Sequence, residues 1–121
     1  MYDSMRIDNL DFFIIEKIYM NRSITTWDIA KVYCADNTIS ARELYRRVNK
    51  QNFLIKQRLK KFQKWGLVLI SKYKEKPEHK KELNKYNLLK ECVKIGSHKF
   101  PDGYHRAFLL KINCKWHCFE F

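Results

Sequence analysis

The 121 residues, 45% hydrophobic and 15% aromatic, suffice for one packed domain and exclude a disordered chain, while three glycines and two prolines leave no low-complexity linker. Of the formal charge of +12, residues 1–39 carry −2 (4 basic, 6 acidic), residues 40–80 carry +10 (13 and 3) and residues 81–121 carry +4 (8 and 4). A chain that was merely lysine-rich for solubility or heat resistance would not leave its first third acidic, so the middle third is read as meeting a polyanion.

Residues 8–20 (DNLDFFIIEKIYM) are expected to form a helix capped by Asp8 or Asn9. Leu10, Phe13, Ile14 and Ile18 make one apolar stripe, and Phe12, Ile15 and Tyr19 make a second on nearly the opposite side. A helix apolar on two faces must bury both, the second against the rest of the chain or against another subunit. Asn21-Arg22-Ser23 reads as a turn. Thr25 or Thr26 then caps a short helix, TWDIAKVYC, ending near Ala35, with Asp28 in the first turn and Ile29, Ala30, Val32 and Tyr33 directed at the core. After a loop at Asp36-Asn37-Thr38, Ser40 and Glu43 have capping-box spacing. Ala41, Leu44 and Val48 share a face, and Arg42 and Arg46 look outward.

The polar run Asn49-Lys50-Gln51-Asn52 is expected to end that helix, with Asn52 capping the next. In the second helix Leu59 and Phe62 fall within about 40° of Ile55 at about 100° per residue. Phe53, Gln57, Lys60 and Lys64 fall opposite, flanked by Lys56 and Lys61. Gly66 is the expected stop, with Trp65 packing at the corner. Residues 67–73 (LVLISKY) read as a strand. Residues 75–90 carry two readings, a charge-rich helix starting at Pro77 or an ordered loop. Residues 91–99 look extended. Phe100-Pro101-Asp102-Gly103 is a hairpin turn, in which proline presets φ and glycine accepts a positive φ. Residues 104–112 form the return strand, and residues 115–121 (KWHCFEF) alternate as a last strand or a packed tail.

Two stretches, Ile39-Ser40-x-x-x-Leu44 and Arg58-Leu59-x-x-Phe62-x-x-x-Gly66-Leu67-Val68, resemble the helix-turn-helix of the winged helix-turn-helix superfamily. The run Pro101-Asp102-Gly103-Tyr104-His105-Arg106-Ala107 is similar to the acidic-glycine-arginine wing turn of MarR-type regulators. The resemblance covers most of residues 8–112. It implies a single α+β domain, with three to four N-terminal helices over about 8–66 and a small antiparallel β-sheet wing over about 67–112. An insertion of about 75–99 would be longer than an ordinary wing, and a strand or tail would follow at 113–121. A second parse makes residues 25–35 the first motif helix and 40–65 one long recognition region.

The resemblance further implies a transcription regulator that reads double-stranded DNA, with helix 52–65 in the major groove and a basic wing on the backbone. Asn52 and Gln57 can face an adenine edge, Lys56 and Lys60 guanine acceptors or phosphates, and Phe53 a thymine methyl. Gln51, Lys61 and Lys64 belong to the same basic helix. Ser40, Arg42, Arg46 and Lys50 would hold the sugar-phosphate backbone, and Lys99, His105 and Arg106 would flank the wing turn. Two rival readings are a winged-helix protein-interaction module, which often loses the basic recognition face, and an RNA-binding protein. A homodimer is expected, because a dimer matches palindromic sites. Its candidate interface is the Phe12, Ile15 and Tyr19 face with Trp116, Phe119 and Phe121.

The N-terminus, MYDSMRIDNLD, is polar and acidic, so no signal peptide is expected. The longest apolar runs, such as FFII and LVLI, are too short to span a bilayer, so no membrane partner is expected. A cytoplasmic protein follows, or one of the host cytoplasm if a virus or plasmid encodes it. Cys34, Cys92, Cys114 and Cys118 would then be reduced thiols. Cys114-x-x-His117-Cys118, with Cys92, His98 and His105, invites a zinc reading, but the spacing is not that of a ribbon or finger. On a strand, Cys114 and Cys118 would face one side and His117 the other. No cofactor and no enzyme activity are expected: there is no glycine-rich phosphate loop, no His-Glu-x-x-His, and no acid convincingly paired with a histidine. Heavy use of Lys, Asn, Ile and Tyr suggests an AT-rich genome, prokaryotic, archaeal or viral.

Overall fold

The computed structural model describes residues 7–21, 24–73, 78 and 83–120. Three helices, α1 (Asn9–Met20), α2 (Thr26–Tyr33) and α3 (Ala41–Lys64), precede all the strands. The strands are β1 (Val68–Tyr73), β2 (Leu83–Leu88), β3 (Val93–Phe100), β4 (Gly103–Ile112) and β5 (Lys115–Glu120), with one 3₁₀ turn at Lys90–Cys92 before β3. They form two antiparallel sheets, β1-β2 and β3-β4-β5. The chain is therefore α+β, with the helices first and a small antiparallel sheet region after them. Among the described residues no helix is long and apolar enough to cross a membrane.

Asp8 caps α1. Its carboxylate accepts from the Asp11 N–H at 3.0 Å, and the Asp11 carboxylate accepts from the Asp8 N–H at 3.1 Å, a reciprocal capping box. Both apolar faces of α1 are covered by its own chain. Phe12, Ile14, Ile15 and Ile18 are buried, and the Phe12 ring meets Phe108 of β4 edge-on at 4.7 Å. This corrects the expected subunit interface: Phe12 and Ile15 are core residues, and Tyr19 is half-buried against that core. Of the aromatic tail, Phe119 is half-buried opposite Phe108, Trp116 is exposed, and Phe121 lies outside the described residues.

Thr25 caps α2 by accepting from the Asp28 N–H at 3.2 Å. Ile29 and Ala30 are buried, but Val32 and Tyr33 are exposed, contrary to expectation. The last turn of this eight-residue helix overruns the core, and Tyr33 only leans edge-on against Phe13 at 5.0 Å. Asp36 closes the link to α3, its Oδ1 accepting from the Thr38 N–H at 2.8 Å and the Thr38 hydroxyl at 2.5 Å.

The largest correction is α3, one uninterrupted helix of 24 residues in place of a helix, a turn and a helix. The run Asn49-Lys50-Gln51-Asn52 contains neither glycine nor proline, and each asparagine costs only about 0.7 kcal/mol relative to alanine. The inward stripe of Leu44, Val48, Ile55, Leu59 and Phe62 runs straight across it, and Val48, Ile55, Leu59 and Phe62 are buried. Each such side chain contributes roughly 1.5–3 kcal/mol, so the stripe wins over the local turn preference. The helix ends as expected. The Leu67 N–H donates to the Phe62 carbonyl and the Gly66 N–H to the Gln63 carbonyl, both at 3.0 Å, with Gly66 at φ +77°.

Strand β1 pairs with β2 in the register Val68↔Leu88 and Ile70↔Tyr86. Residues 83–88 are thus a strand, where a helix or loop was expected; the expected helix start at Pro77 lies outside the described residues. Val68 and Tyr86 are buried, and β strands favour such alternation with one face on a core. Ile24 pairs with Tyr86 on the free edge of β2, through N–H···O contacts of 2.9 and 3.4 Å. That bridge lashes the start of α2 to the first sheet.

The second sheet is a meander with β4 in the middle. Val93↔Leu110 and Ile95↔Phe108 align on one side of it, and Phe108↔Phe119 on the other. Val93, Phe108, Leu110 and Ile112 close the same core from this side. The strand after α3 therefore pairs with β2, and the Pro101-Asp102 turn joins β3 and β4 of a separate sheet.

Candidate nucleic-acid interface

The continuous helix aligns side chains that the expected break would have set on two separate axes. At about 100° per residue, Arg42, Arg46, Lys50, Phe53, Gln57, Lys60 and Lys64 all lie within about 40° of the line opposite Ile55. All seven are exposed, Phe53 at 63%. From Arg42 to Lys64 the line runs roughly 33 Å at about 1.5 Å per residue. It carries five cations and no carboxylate.

The local acids are turned elsewhere. Ser40 caps the helix by accepting from the Glu43 N–H at 3.2 Å, which leaves the Glu43 carboxylate on the helix flank. There it takes Arg47 at 3.4 Å and Arg46 at 3.7 Å, while Arg47 also reaches Asp36 at 3.8 Å. These exposed pairs are weak, so Arg46 stays available to another anion. Among the described residues Arg42, Lys50, Lys56, Lys60 and Lys64 have no acidic partner.

Three of the expected contacts are withdrawn from this face. Lys61 is turned inward. Its ammonium lies 2.9 Å from the Asp11 carboxylate, which is only 1% exposed, and sits over the Phe62 and Trp65 rings at 5.2 and 5.3 Å. Arg58 completes the cluster at 2.7 Å from Asp8 and 3.1 Å from Asp11. Gln51 and Asn52 are half-buried, because a continuous helix puts both beside the apolar stripe, and Asn52 Oδ1 is buried without a hydrogen-bond partner. Lys56 is exposed beside the line. An open hollow of about 500 Å³ lies at mid-helix, lined by Asn49, Lys50, Asn52, Phe53, Leu54 and Lys56.

Lys99, His105 and Arg106 lie beside the turn of the β3–β4 hairpin, where the sequence placed them. Arg106 is ion-paired with Glu16 of α1, and His105 Nε2 lies 2.9 Å from Asp102 Oδ1. Only Lys99 of the three is exposed with no such pair among the described residues. No protein-family model, curated protein or solved structure matches the chain. The case for this face therefore rests on its own geometry.

One residue of the surface was missed. Tyr45 is 62% exposed on the flank of α3, its ring 5.7 Å from that of Trp27 on α2. Tyr45 marks the junction of α2 with α3, a contact that depends on how the two helices pack. The four cysteines are unpaired; Cys34 and Cys92 are half-buried, and Cys114 and Cys118 are exposed. Burial pushes the Cys34 thiol up, and the Arg47 charge only partly offsets it. Among the described residues no group of three His, Cys, Asp or Glu side chains is placed to hold a metal.

Proposed function

We propose that this protein binds double-stranded DNA through the exposed line of α3 and acts as a transcription regulator of the winged helix-turn-helix type. In this reading α2 and α3 are the helix-turn-helix, and the β1–β2 hairpin is the wing, in place of the Pro101–Gly103 turn. The order of elements supports it: α1, the Ile24 bridge, α2, α3, then an antiparallel pair that starts directly after α3. The observation that carries the reading is the row of five exposed cations along one side of a continuous helix, four of them without an acidic partner among the described residues and the fifth, Arg46, only in a weak exposed pair with Glu43. A protein-interaction helix has no use for so long a row of uncompensated charge, whereas DNA presents one negative charge per roughly 1.7 Å of axis.

The test is titration of a labelled duplex at several salt concentrations. Five cations each neutralising one phosphate give a log–log slope of about −4.5, at about −0.9 per phosphate. Absence of salt-dependent binding to any duplex overturns the proposal. Equal affinity for single-stranded RNA in the same assay would transfer the face to a different polyanion.

A further inference from the structure

Resting on that reading, we infer that α3 crosses the major groove at its middle, with Phe53 and Gln57 facing base edges and the two cationic ends holding opposite phosphate strands. The order along the line is Arg42, Arg46, Lys50, then Phe53 and Gln57, then Lys60 and Lys64. On this line charge sits at both ends and is absent from the centre, with the exposed Lys56 beside it, about 80° around the helix. Lys50 and Lys60 are ten positions apart, about 15 Å along the axis. That spacing matches a groove about 12 Å wide once lysine reach is allowed for. Insertion of the N-terminal end alone would bring Arg42 to the bases and leave Lys60 roughly 27 Å away, beyond any phosphate role.

The centre of the line, bordered on one side by Lys56, has the chemistry of a base reader. Among the described residues Phe53 is one of the most exposed large apolar side chains, and none of them is stacked on its ring. A thymine methyl is its natural partner, and the Gln57 amide can bond both the N6 and N7 edges of adenine. The two are four residues apart, about 6 Å along the helix, or about two base pairs at about 3.4 Å each. The preferred site therefore carries A·T pairs two steps apart at its centre. The hollow at Asn49–Lys56 opens beside Phe53, at mid-helix.

The experiment is binding-site selection from random duplexes, run on the wild type and on Phe53→Ala, Gln57→Ala, Arg42→Ala and Lys60→Ala, each checked for folding by circular dichroism. The wild type is expected to select A·T pairs at the centre of the site. Gln57→Ala and Phe53→Ala each lose roughly ten-fold or more of discrimination at one position, with the salt slope unchanged. Lys60→Ala and Arg42→Ala weaken all sequences alike and lower the slope by about 1. Selection that survives both central changes but collapses in Arg42→Ala overturns the inference and assigns reading to the N-terminal end. Duplex binding by the wild type with no sequence preference also overturns it, while leaving DNA binding intact. No duplex binding by the wild type removes the underlying reading as well.

Discussion

At the residue scale, Asp8 has two tasks: it caps α1 and takes the Arg58 guanidinium at 2.7 Å. Burial works against its charge, but the hydrogen bonds from Arg58 and the Asp11 N–H, with the Arg58 charge, outweigh burial and hold the carboxyl below its ordinary value. A carboxyl depressed in the folded state stabilises the fold above its unfolded value of about 3.9 and loses that contribution as pH falls through the folded value. Asp8→Ala is expected to cost about 1 kcal/mol at pH 7 through the lost cap alone. The gap to wild type should narrow below about pH 4. Urea unfolding of both proteins at pH 7 and pH 3 measures it, and a constant gap would show that the charge contributes nothing. Asp8 is one of two cap candidates legible in the sequence, with Asn9, because a cap is local. The Arg58 and Lys61 contacts are not legible there, because they depend on how α1 lies across a helix 50 residues away.

At the element scale, α3 teaches how far local signals reach. Its cap at Ser40, its stop at Gly66 and its inward residues were all legible, since each depends on residues one turn away. The turn expected at 49–52 was a weighing of asparagine preference without knowledge of what Val48 and Ile55 pack against. Because the helix is continuous there, Asn49→Ala replaces a mediocre helix former by the best at an exposed position. It should stabilise the protein by about 0.5 kcal/mol, read as a rise in the urea midpoint at unchanged slope. A turn at that place would reverse the sign. Strand β2 was missed for the complementary reason. LNKYNL alternates only weakly, and one of its two edges is set by Ile24, which is 62 positions away in sequence. With β2 unassigned, the pairing of β1 could not be read from the sequence.

At the scale of the whole molecule, the core is one continuous cluster reaching from α1 through α3 and β1 to β4. Phe12 is central to it, against Phe108. Phe12→Glu is therefore expected to destabilise the domain by about 4 kcal/mol or more, the range for deleting a buried phenylalanine, aggravated by an unpaired buried charge. Loss of the cooperative thermal transition is the expected result. A folded monomer by sedimentation would instead restore α1 as a subunit contact. The Ile24–Tyr86 bridge has one more consequence, for the order of assembly. Within both sheets every strand pairs with its neighbour in sequence, so each hairpin can close early and at small loop cost. The bridge joins residues 62 positions apart, about half the chain, and the loop it closes contains α2, α3 and β1. Docking of the β1–β2 hairpin onto Ile24 is then a late folding event, and Ile24→Ala should speed unfolding while leaving the refolding rate nearly unchanged.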